Sequence, residues 1–151
     1  MIYLVIFLGG SLPIKELYPE VKDRLDTVME LGINVVIGDA PGADLLMQTY
    51  LHSKGYRKVT VYAMGNRVRN NIGDWEVCYI EANPRLPKRD YYVAKDIAMT
   101  KAAKYGLMIW DRVSRGTQAN ILRLIEQKKK VLVCTSRGIV AIKSVEELEK
   151  I

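Results

Sequence analysis

Short apolar runs alternate with longer amphipathic segments along this chain, and this alternation most constrains its fold. The apolar runs have the length of strands that are buried on both faces, whereas the longer segments carry apolar residues at helical spacing. Because βαβ units produce this pattern, we expect an α/β fold, a three-layer sandwich with a mainly parallel five-stranded sheet. The five strands are predicted over residues 3–8, 34–37, 58–63, 107–110 and 130–134.

Helices are predicted between these strands. They are expected over residues 14–31, 45–51 and 90–104, and from Ser114 or Thr117 to Gln127. Ser144-Val145-Glu146-Glu147 is a capping-box pattern and predicts a short last helix. Glycine is common just after a helix, so three glycines are expected at helix ends: Gly32, Gly55 and Gly106.

Length and composition narrow the class of protein. The chain has 151 residues, 49% hydrophobic and 26% charged, which fits one globular domain over residues 1–151 and excludes disordered and collagen-like chains. Cys78 and Cys134 lie far apart with no Cys/His cluster, so we expect no disulfide framework, no metal, no cofactor and a reducing, cytoplasmic location. Residues 1–8 lack a basic leader and are too short to span a membrane, so no membrane partner is expected.

The formal net charge of +6 predicts an anionic partner. A small phosphorylated ligand and a nucleic acid both satisfy this charge. The longest basic run is Lys128-Lys129-Lys130, which is expected to solvate a helix end, where cations complement the helix dipole. Because no longer basic block occurs, a small ligand is preferred and nucleic acid is kept as an alternative.

Three loops follow the first, second and fourth predicted strands, and in a parallel sheet they meet at one edge, where such sheets bind ligands. Glycines let the backbone approach a ligand, helix starts offer free N–H groups, and arginines supply forked donors to phosphate. The alternative is that the loops only turn the chain and cap helices. The three loops are Gly9-Gly10-Ser11, Gly38-Asp39-Ala40-Pro41-Gly42-Ala43-Asp44 and Asp111-Arg112-Val113-Ser114-Arg115-Gly116-Thr117.

These loops resemble the SLOG superfamily of Rossmann-like proteins, which includes DprA-like, LOG-like and YpsA/YspA-like members. The resemblance covers most of the chain. It implies a Rossmann-like fold, a nucleotide or nucleotide-derived ligand at the sheet edge, and a homo-oligomer. It rests on Gly9-Gly10-Ser11, on Gly-x-x-x-Gly-Ala-Asp at residues 38–44, on Ser114-Arg115-Gly116-Thr117, and on Lys95-Asp96 with Met99.

The resemblance also bears on catalysis. LOG enzymes carry Pro-Gly-Gly-x-Gly-Thr-x-x-Glu, and Asn120 stands here at the position of the glutamate. An amide supplies no negative charge to an oxocarbenium-like transition state, so hydrolysis by that residue is not expected. Asp44, Asp96 and Asp111 remain as candidate catalytic residues. Each also has a structural explanation: a helix first turn, an ion pair with Lys95 or Arg89, and a turn cap.

We therefore predict binding of a nucleotide or nucleotide-derived ligand, through its phosphate and ribose, by a sensor or carrier. One alternative is an N-glycosidase of nucleoside monophosphates, and a second is single-stranded nucleic-acid binding. Asp44 is expected to accept hydrogen bonds from sugar hydroxyls. The predicted ligand-binding residues are Gly9, Gly10, Ser11, Gly38, Asp39, Gly42, Ala43, Asp44, Asp111, Arg112, Ser114, Arg115, Gly116, Thr117 and Asn120.

The insertion at about residues 64–89 is unusually long, and loops of this length are often functional lids. As a lid, it would bring Trp75 to a base and its basic residues to a phosphate. The alternative is a small extra strand from Trp75 to Ile80, where the residues alternate. Tyr91 and Tyr92 are expected at a helix start, with stacking as an alternative role for one of them. The basic residues of the insertion are Arg67, Arg69, Arg85, Lys88 and Arg89.

Overall fold

Strands and helices alternate along most of the chain, as the apolar pattern predicts. The computed structural model describes residues 4–151. The strands are β1 (Val5–Gly10), β2 (Asn34–Gly38), β3 (Val59–Met64), β4 (Glu76–Ile80), β5 (Tyr105–Ile109), β6 (Lys130–Thr135) and β7 (Gly138–Ile142). The helices are α1 (Pro19–Glu30), α2 (Ala43–Ser53), α3 (Lys88–Ala102), α4 (Arg115–Glu126) and α5 (Val145–Glu149).

All seven strands form one sheet in the order β4-β3-β2-β1-β5-β6-β7. Every neighbouring pair is parallel except β6 and β7. β1 lies in the middle, where Leu8 is in register with Ile37 of β2 and with Leu107 of β5. The carboxyl ends of these three strands therefore meet at one edge of the sheet.

The expected number of five strands is wrong, because the sheet has seven. β4 lies in the insertion and pairs with β3, as the alternation from Trp75 to Ile80 indicates. β7 was not predicted. It follows β6 after a turn at residues 136–137 and pairs with β6 in the antiparallel direction. The βαβ pattern predicts a strand only where a helix separates it from the preceding strand, so it does not predict β7.

Three glycines test the predicted helix ends. Gly32 and Gly55 follow α1 and α2 with φ of 65° and 71°, as expected for helix ends. Gly106 instead lies inside β5, where a Cβ would stand 2.5 Å from Leu124 Cδ1 of α4. Its role is close packing of a helix on the sheet. The predicted start of the first strand, Tyr3, lies outside the described residues.

Apolar side chains form one cluster on each face of the sheet. Ile6 and Leu8 of β1 pack with α1 and α2, whereas Phe7 of the same strand packs with α3, α4 and α5. This alternation follows from the two-residue period of a strand and produces the expected three layers. Among residues 4–151, no helix is long and apolar enough to cross a membrane.

Gly42→Ala is expected to destabilise the protein more than Gly55→Ala, by at least about 2 kcal/mol. Both residues have positive φ, 79° and 71°, and Gly42 also has ψ of −131°, outside the left-handed helical region, which adds to the cost of a side chain there. A Cβ on Gly42 would overlap the backbone of Leu12, whereas a Cβ on Gly55 meets nothing within 4 Å. Urea unfolding of the two variants measures the difference, and equal losses would contradict the close approach at Gly42.

Candidate functional site

A cavity of about 620 Å³ lies beyond the carboxyl ends of the central strands. Its floor is the end of β1, and its walls come from the start of α2, one side of α3 and the start of α4. This is the edge at which the three glycine-containing loops were expected to meet. The volume is within the usual range for small-ligand pockets.

The structure brings nine of the predicted residues to this cavity and leaves seven outside its lining. The lining includes Gly9, Gly10, Ser11, Asp44, Asp96, Ser114, Gly116, Thr117 and Asn120. The predicted residues outside the lining are Gly38, Asp39, Gly42, Ala43, Asp111, Arg112 and Arg115.

Buried hydroxyl groups join the loop after β1 to the start of α4. Ser11 Oγ and Thr117 Oγ1 are 3.0 Å apart, and Ser11 is 1% exposed. The backbone N–H of Asp111 also donates to Ser11 Oγ, at 3.2 Å. The first and third loops therefore form one connected wall.

The start of α4 presents unused donors to the cavity. Its N-cap residue, Ser114, does not cap the helix, because its hydroxyl donates to Asp111 Oδ2 at 2.7 Å. Within the described part of the chain, the N–H groups of Arg115, Gly116 and Thr117 have no acceptor. Gly116 also has open space around its Cα. Free N–H groups at the positive end of a helix dipole favour an anion.

Two backbone donors of the turn at residues 38–44 are engaged within the protein. The N–H of Ala43 donates to Ser11 O at 3.2 Å, and the N–H of Ala40 donates to Asp44 Oδ2 at 3.3 Å. The buried carboxylate of Asp39 accepts from Arg69, with Nη2 at 2.8 Å and Nε at 3.2 Å. These contacts position Asp44 at the cavity, and they leave the N–H groups of Ala40 and Ala43 unavailable to a phosphate.

Asp44 lies in the cavity beside Lys95 of α3, and both are buried, with 7% and 4% of their surface exposed. Burial raises the pKa of Asp44 to about 7, against the opposing attraction of Lys95. Lys95 Nζ donates to Asp96 Oδ1 at 3.2 Å. The cavity thus holds a carboxyl group that changes charge near neutral pH.

Asp111 is a turn residue. Its Oδ1 accepts from the N–H groups of Val113 and Ser114, at 2.9 and 2.7 Å. Burial alone would raise the pKa of Asp111, but the hydrogen bonds from Ser114, Val113 and Ser11 outweigh it and lower that pKa. Arg112 has φ of 68°, and its guanidinium donates to Ile151 O. Its side chain therefore joins the loop to the last residue of the chain and lies outside the cavity lining.

Asn120 lines the cavity. Its Oδ1 accepts from Arg123 Nη1 at 2.6 Å. The side chain is therefore held as a neutral amide against a cation, and it adds no negative charge to the cavity. Among residues 4–151, no group of three or more His, Cys, Asp and Glu is placed to hold a metal ion.

Residues of the α3 wall are predicted from the sequence only as basic residues of the insertion (Lys88 and Arg89), as an alternative stacking side chain (Tyr92) and as part of the family resemblance (Lys95 and Met99). Lys88, Tyr92, Lys95 and Met99 lie along one helix face and all reach the cavity. A spacing of three or four residues is the signal that could have found them. Arg89 also lines the cavity.

Three basic residues of the insertion line the cavity, namely Arg69 and, at the start of α3, Lys88 and Arg89. Arg69 lines the cavity, with its guanidinium 4.3 Å from the ring centre of Tyr92. Arg67 and Arg85 are not part of the lining. Trp75 is buried in the core, 4% exposed, and its indole donates to Tyr56 O at 2.8 Å, so it is not a stacking surface for a ligand.

Asp44→Asn is expected to stabilise the protein by roughly 2–4 kcal/mol at pH 8. An unfolded Asp ionises near pH 4 and native Asp44 near pH 7, so the native state retains a proton that the unfolded chain has lost. The cost of this carboxyl accumulates between those pH values and is complete above pH 7. The amide can still accept from the N–H of Ala40.

Urea unfolding of both proteins at pH 8 and pH 4.5 measures this effect. The difference should be large at pH 8 and mostly absent at pH 4.5. A difference that is independent of pH would contradict the raised pKa of Asp44.

Comparison with known proteins shows a similarity of fold to solved structures. No family model matches the chain, and no curated protein sequence matches it. The fold is similar to that of DNA processing protein A (DprA) from Helicobacter pylori, a structure described for its single-stranded DNA binding mode. The TM-score is 0.67 at 16% identity, over 97% of this chain and 72% of the other. The two proteins therefore share their fold.

Proposed function

We propose that this protein binds a nucleotide or a nucleotide-derived ligand in the cavity, as a sensor or carrier, and that it is a Rossmann-like member of the SLOG superfamily. The observation that carries the proposal is the pairing, in one cavity, of free N–H groups at the start of α4 with the buried Asp44 and Lys95. The likeness to DprA and the three loop motifs support the family.

The phosphate is assigned to the start of α4. The N–H groups of Gly116 and Thr117 are free, and Gly116 leaves space for close approach. The start of α2 is a poorer anion site, because Ala43 already donates to Ser11 O and the carboxyl group of Asp44 stands there. A phosphate beside Asp44 would meet a like charge whenever that group is ionised.

The base is assigned to the wall formed by Tyr92 and Arg69. Aromatic rings and guanidinium planes both stack with nucleobases. Arg69 is fixed over Tyr92 by its two hydrogen bonds to Asp39, so the wall is formed before a ligand arrives. Preformed surfaces cost less entropy on binding than mobile ones.

A hydrolase would need a carboxylate in the cavity, and Asp44 and Asp96 are candidates among the lining residues. Asp96 already holds Lys95, and Asn120 replaces the glutamate of LOG enzymes. Binding without turnover is therefore preferred. Release of adenine from AMP on incubation with the protein would instead support the N-glycosidase alternative.

Gly116→Pro is expected to weaken binding of AMP about tenfold or more. Proline is tolerated in a first helical turn, but it removes one of the N–H donors assigned to phosphate. Gly116→Ala is the matched control, since it keeps the donor and its Cβ would meet no atom within 4 Å. Calorimetric titration of both variants with AMP measures the effect. Equal affinities would contradict a phosphate at this helix start.

Single-stranded DNA binding is the second candidate function, because the fold is shared with DprA and two cations stand at the mouth of the cavity. Lys88 and Arg89 are exposed and, among residues 4–151, pair with no carboxylate. If DNA binds here, the double variant Lys88→Gln/Arg89→Gln should lower the affinity for an oligonucleotide. It should also reduce the slope of log affinity against log salt concentration by the amount expected for about two phosphate contacts.

Fluorescence anisotropy with a labelled oligothymidylate at several salt concentrations measures this dependence. The double variant Lys128→Gln/Lys129→Gln, which alters a basic run away from the cavity lining, is the control. An unchanged salt slope in the Lys88/Arg89 variant would exclude DNA binding at the cavity mouth.

A further inference from the structure

We propose that Asp44 and Lys95 form a bracket for one free hydroxyl group of the ligand's ribose. The cavity would then select nucleotides with a free ribose hydroxyl over nucleotides joined within a DNA strand. This inference rests on the proposed function, since it takes a nucleotide to be the occupant of the cavity.

The space beside Gly38 bounds the distance between Asp44 Oδ2 and Lys95 Nζ. A Cβ on Gly38 would stand 2.5 Å from Asp44 Oδ2 and 3.0 Å from Lys95 Nζ. The two atoms are therefore at most the sum of these distances, 5.5 Å, apart. Among residues 4–151, no ion pair within 4.0 Å joins Lys95 to Asp44, so the two atoms are also more than 4.0 Å apart. Glycine is required here because a side chain would fill the space between them.

One hydroxyl oxygen fits this separation. It would donate to the carboxylate at about 2.7 Å and accept from the ammonium at about 2.9 Å, and a bent arrangement at the oxygen sets the partners about 4.5 Å apart. A hydroxyl group is suited because it both donates and accepts through a single atom. A phosphate oxygen has no proton to donate to an ionised Asp44.

Both partners have unused hydrogen-bonding capacity. Lys95 Nζ has three protons, and its one hydrogen bond within the described residues goes to Asp96. Asp44 accepts one hydrogen bond there, a long one of 3.3 Å from the N–H of Ala40. Both side chains are more than nine-tenths buried and line the cavity. Both residues therefore bring hydrogen-bonding groups to the cavity wall, where a ligand hydroxyl group could use them.

The bracket and the start of α4 are within reach of one nucleotide. Gly38 ends β2, β1 lies next to it, and β5 leads into α4 on the other side of β1. The ends of β2 and β5 are two strand spacings apart, about 10 Å. Gly9 and Gly10 line the cavity between them and leave the last two residues of β1 without side chains. A ribose can thus lie over β1, with its phosphate toward α4 and a hydroxyl group toward Asp44.

The bracket distinguishes a mononucleotide from a DNA strand. An internal nucleotide of DNA has no 2′-hydroxyl, and its 3′-oxygen is esterified, so it offers no free ribose hydroxyl. Binding such a nucleotide would leave a buried carboxylate and ammonium without the group that joins them, which is costly. A nucleoside monophosphate supplies that group at either position.

Titration calorimetry at pH 8 with AMP, 2′-deoxy-AMP and 3′-deoxy-AMP tests the bracket. The wild-type protein should bind AMP tenfold or more tightly than at least one of the deoxy analogues. Asp44→Asn and Gly38→Ala should lower the affinity for AMP to that of the weaker analogue. Asp90→Asn changes an exposed carboxylate on the same helix as Lys95, outside the cavity lining, and should retain the preference.

Equal wild-type affinities for all three nucleotides would overturn the bracket and leave the proposed function standing. A preference for AMP that survives Asp44→Asn would also overturn it, because the hydroxyl group would then be bound elsewhere. If none of the three binds, the proposed function itself is wrong. Thermal unfolding of Gly38→Ala checks that variant's fold, and Asp44→Asn keeps the test valid if Gly38→Ala does not fold.

Discussion

The close contact between the end of β1 and the start of α2 positions the rest of the site. A Cβ on Gly10 would stand 2.6 Å from Ile109 O and 2.7 Å from Ala43 Cβ, and Gly42 lies against the backbone of Leu12. Only glycine allows α2 to begin this close to the sheet. The hydrogen bond from Ala43 to Ser11 O then fixes the helix start, and Asp44 follows directly on the cavity wall.

The cavity also contains a buried carboxyl group, that of Asp44, whose ionisation is unfavourable for folding. Asp44 is buried with a pKa of about 7, and the nearby Lys95 pairs with a different carboxylate. Buried charged groups without close partners reduce stability, and they are found chiefly where a ligand supplies the missing partner. A ligand hydroxyl group between Asp44 and Lys95 would hydrogen-bond to both, which links the cost of burying Asp44 to ligand binding.

Much of this arrangement could be predicted from residue patterns. The apolar runs located β1, β2, β3, β5 and β6, because strands buried on both faces have strong patterns. β7 is not predicted, because it is an edge strand joined to β6 by a tight turn and no helical pattern separates the two strands. The loop motifs located Ser11, Asp44 and Thr117, since glycines and helix starts are visible in sequence.

Other parts of the site depend on contacts between distant residues. Arg69 reaches the cavity only because Asp39, thirty positions earlier in the chain, holds its side chain. Asp39 therefore positions Arg69 and lies outside the cavity lining. The neighbouring residues in the sequence do not show whether Asp39 binds a ligand or positions another side chain. Asp111 likewise lies in a loop whose residue types are typical of ligand binding. Its carboxylate, however, already accepts hydrogen bonds from the backbone N–H and the hydroxyl group of Ser114.

A crystal structure of the protein soaked with AMP tests the central claim most directly. The account predicts the phosphate within hydrogen-bond distance of the Gly116 and Thr117 N–H groups, and a ribose hydroxyl between Asp44 Oδ2 and Lys95 Nζ. AMP bound only at the exposed Lys88 and Arg89, or a cavity without density for AMP at saturating concentration, would contradict it.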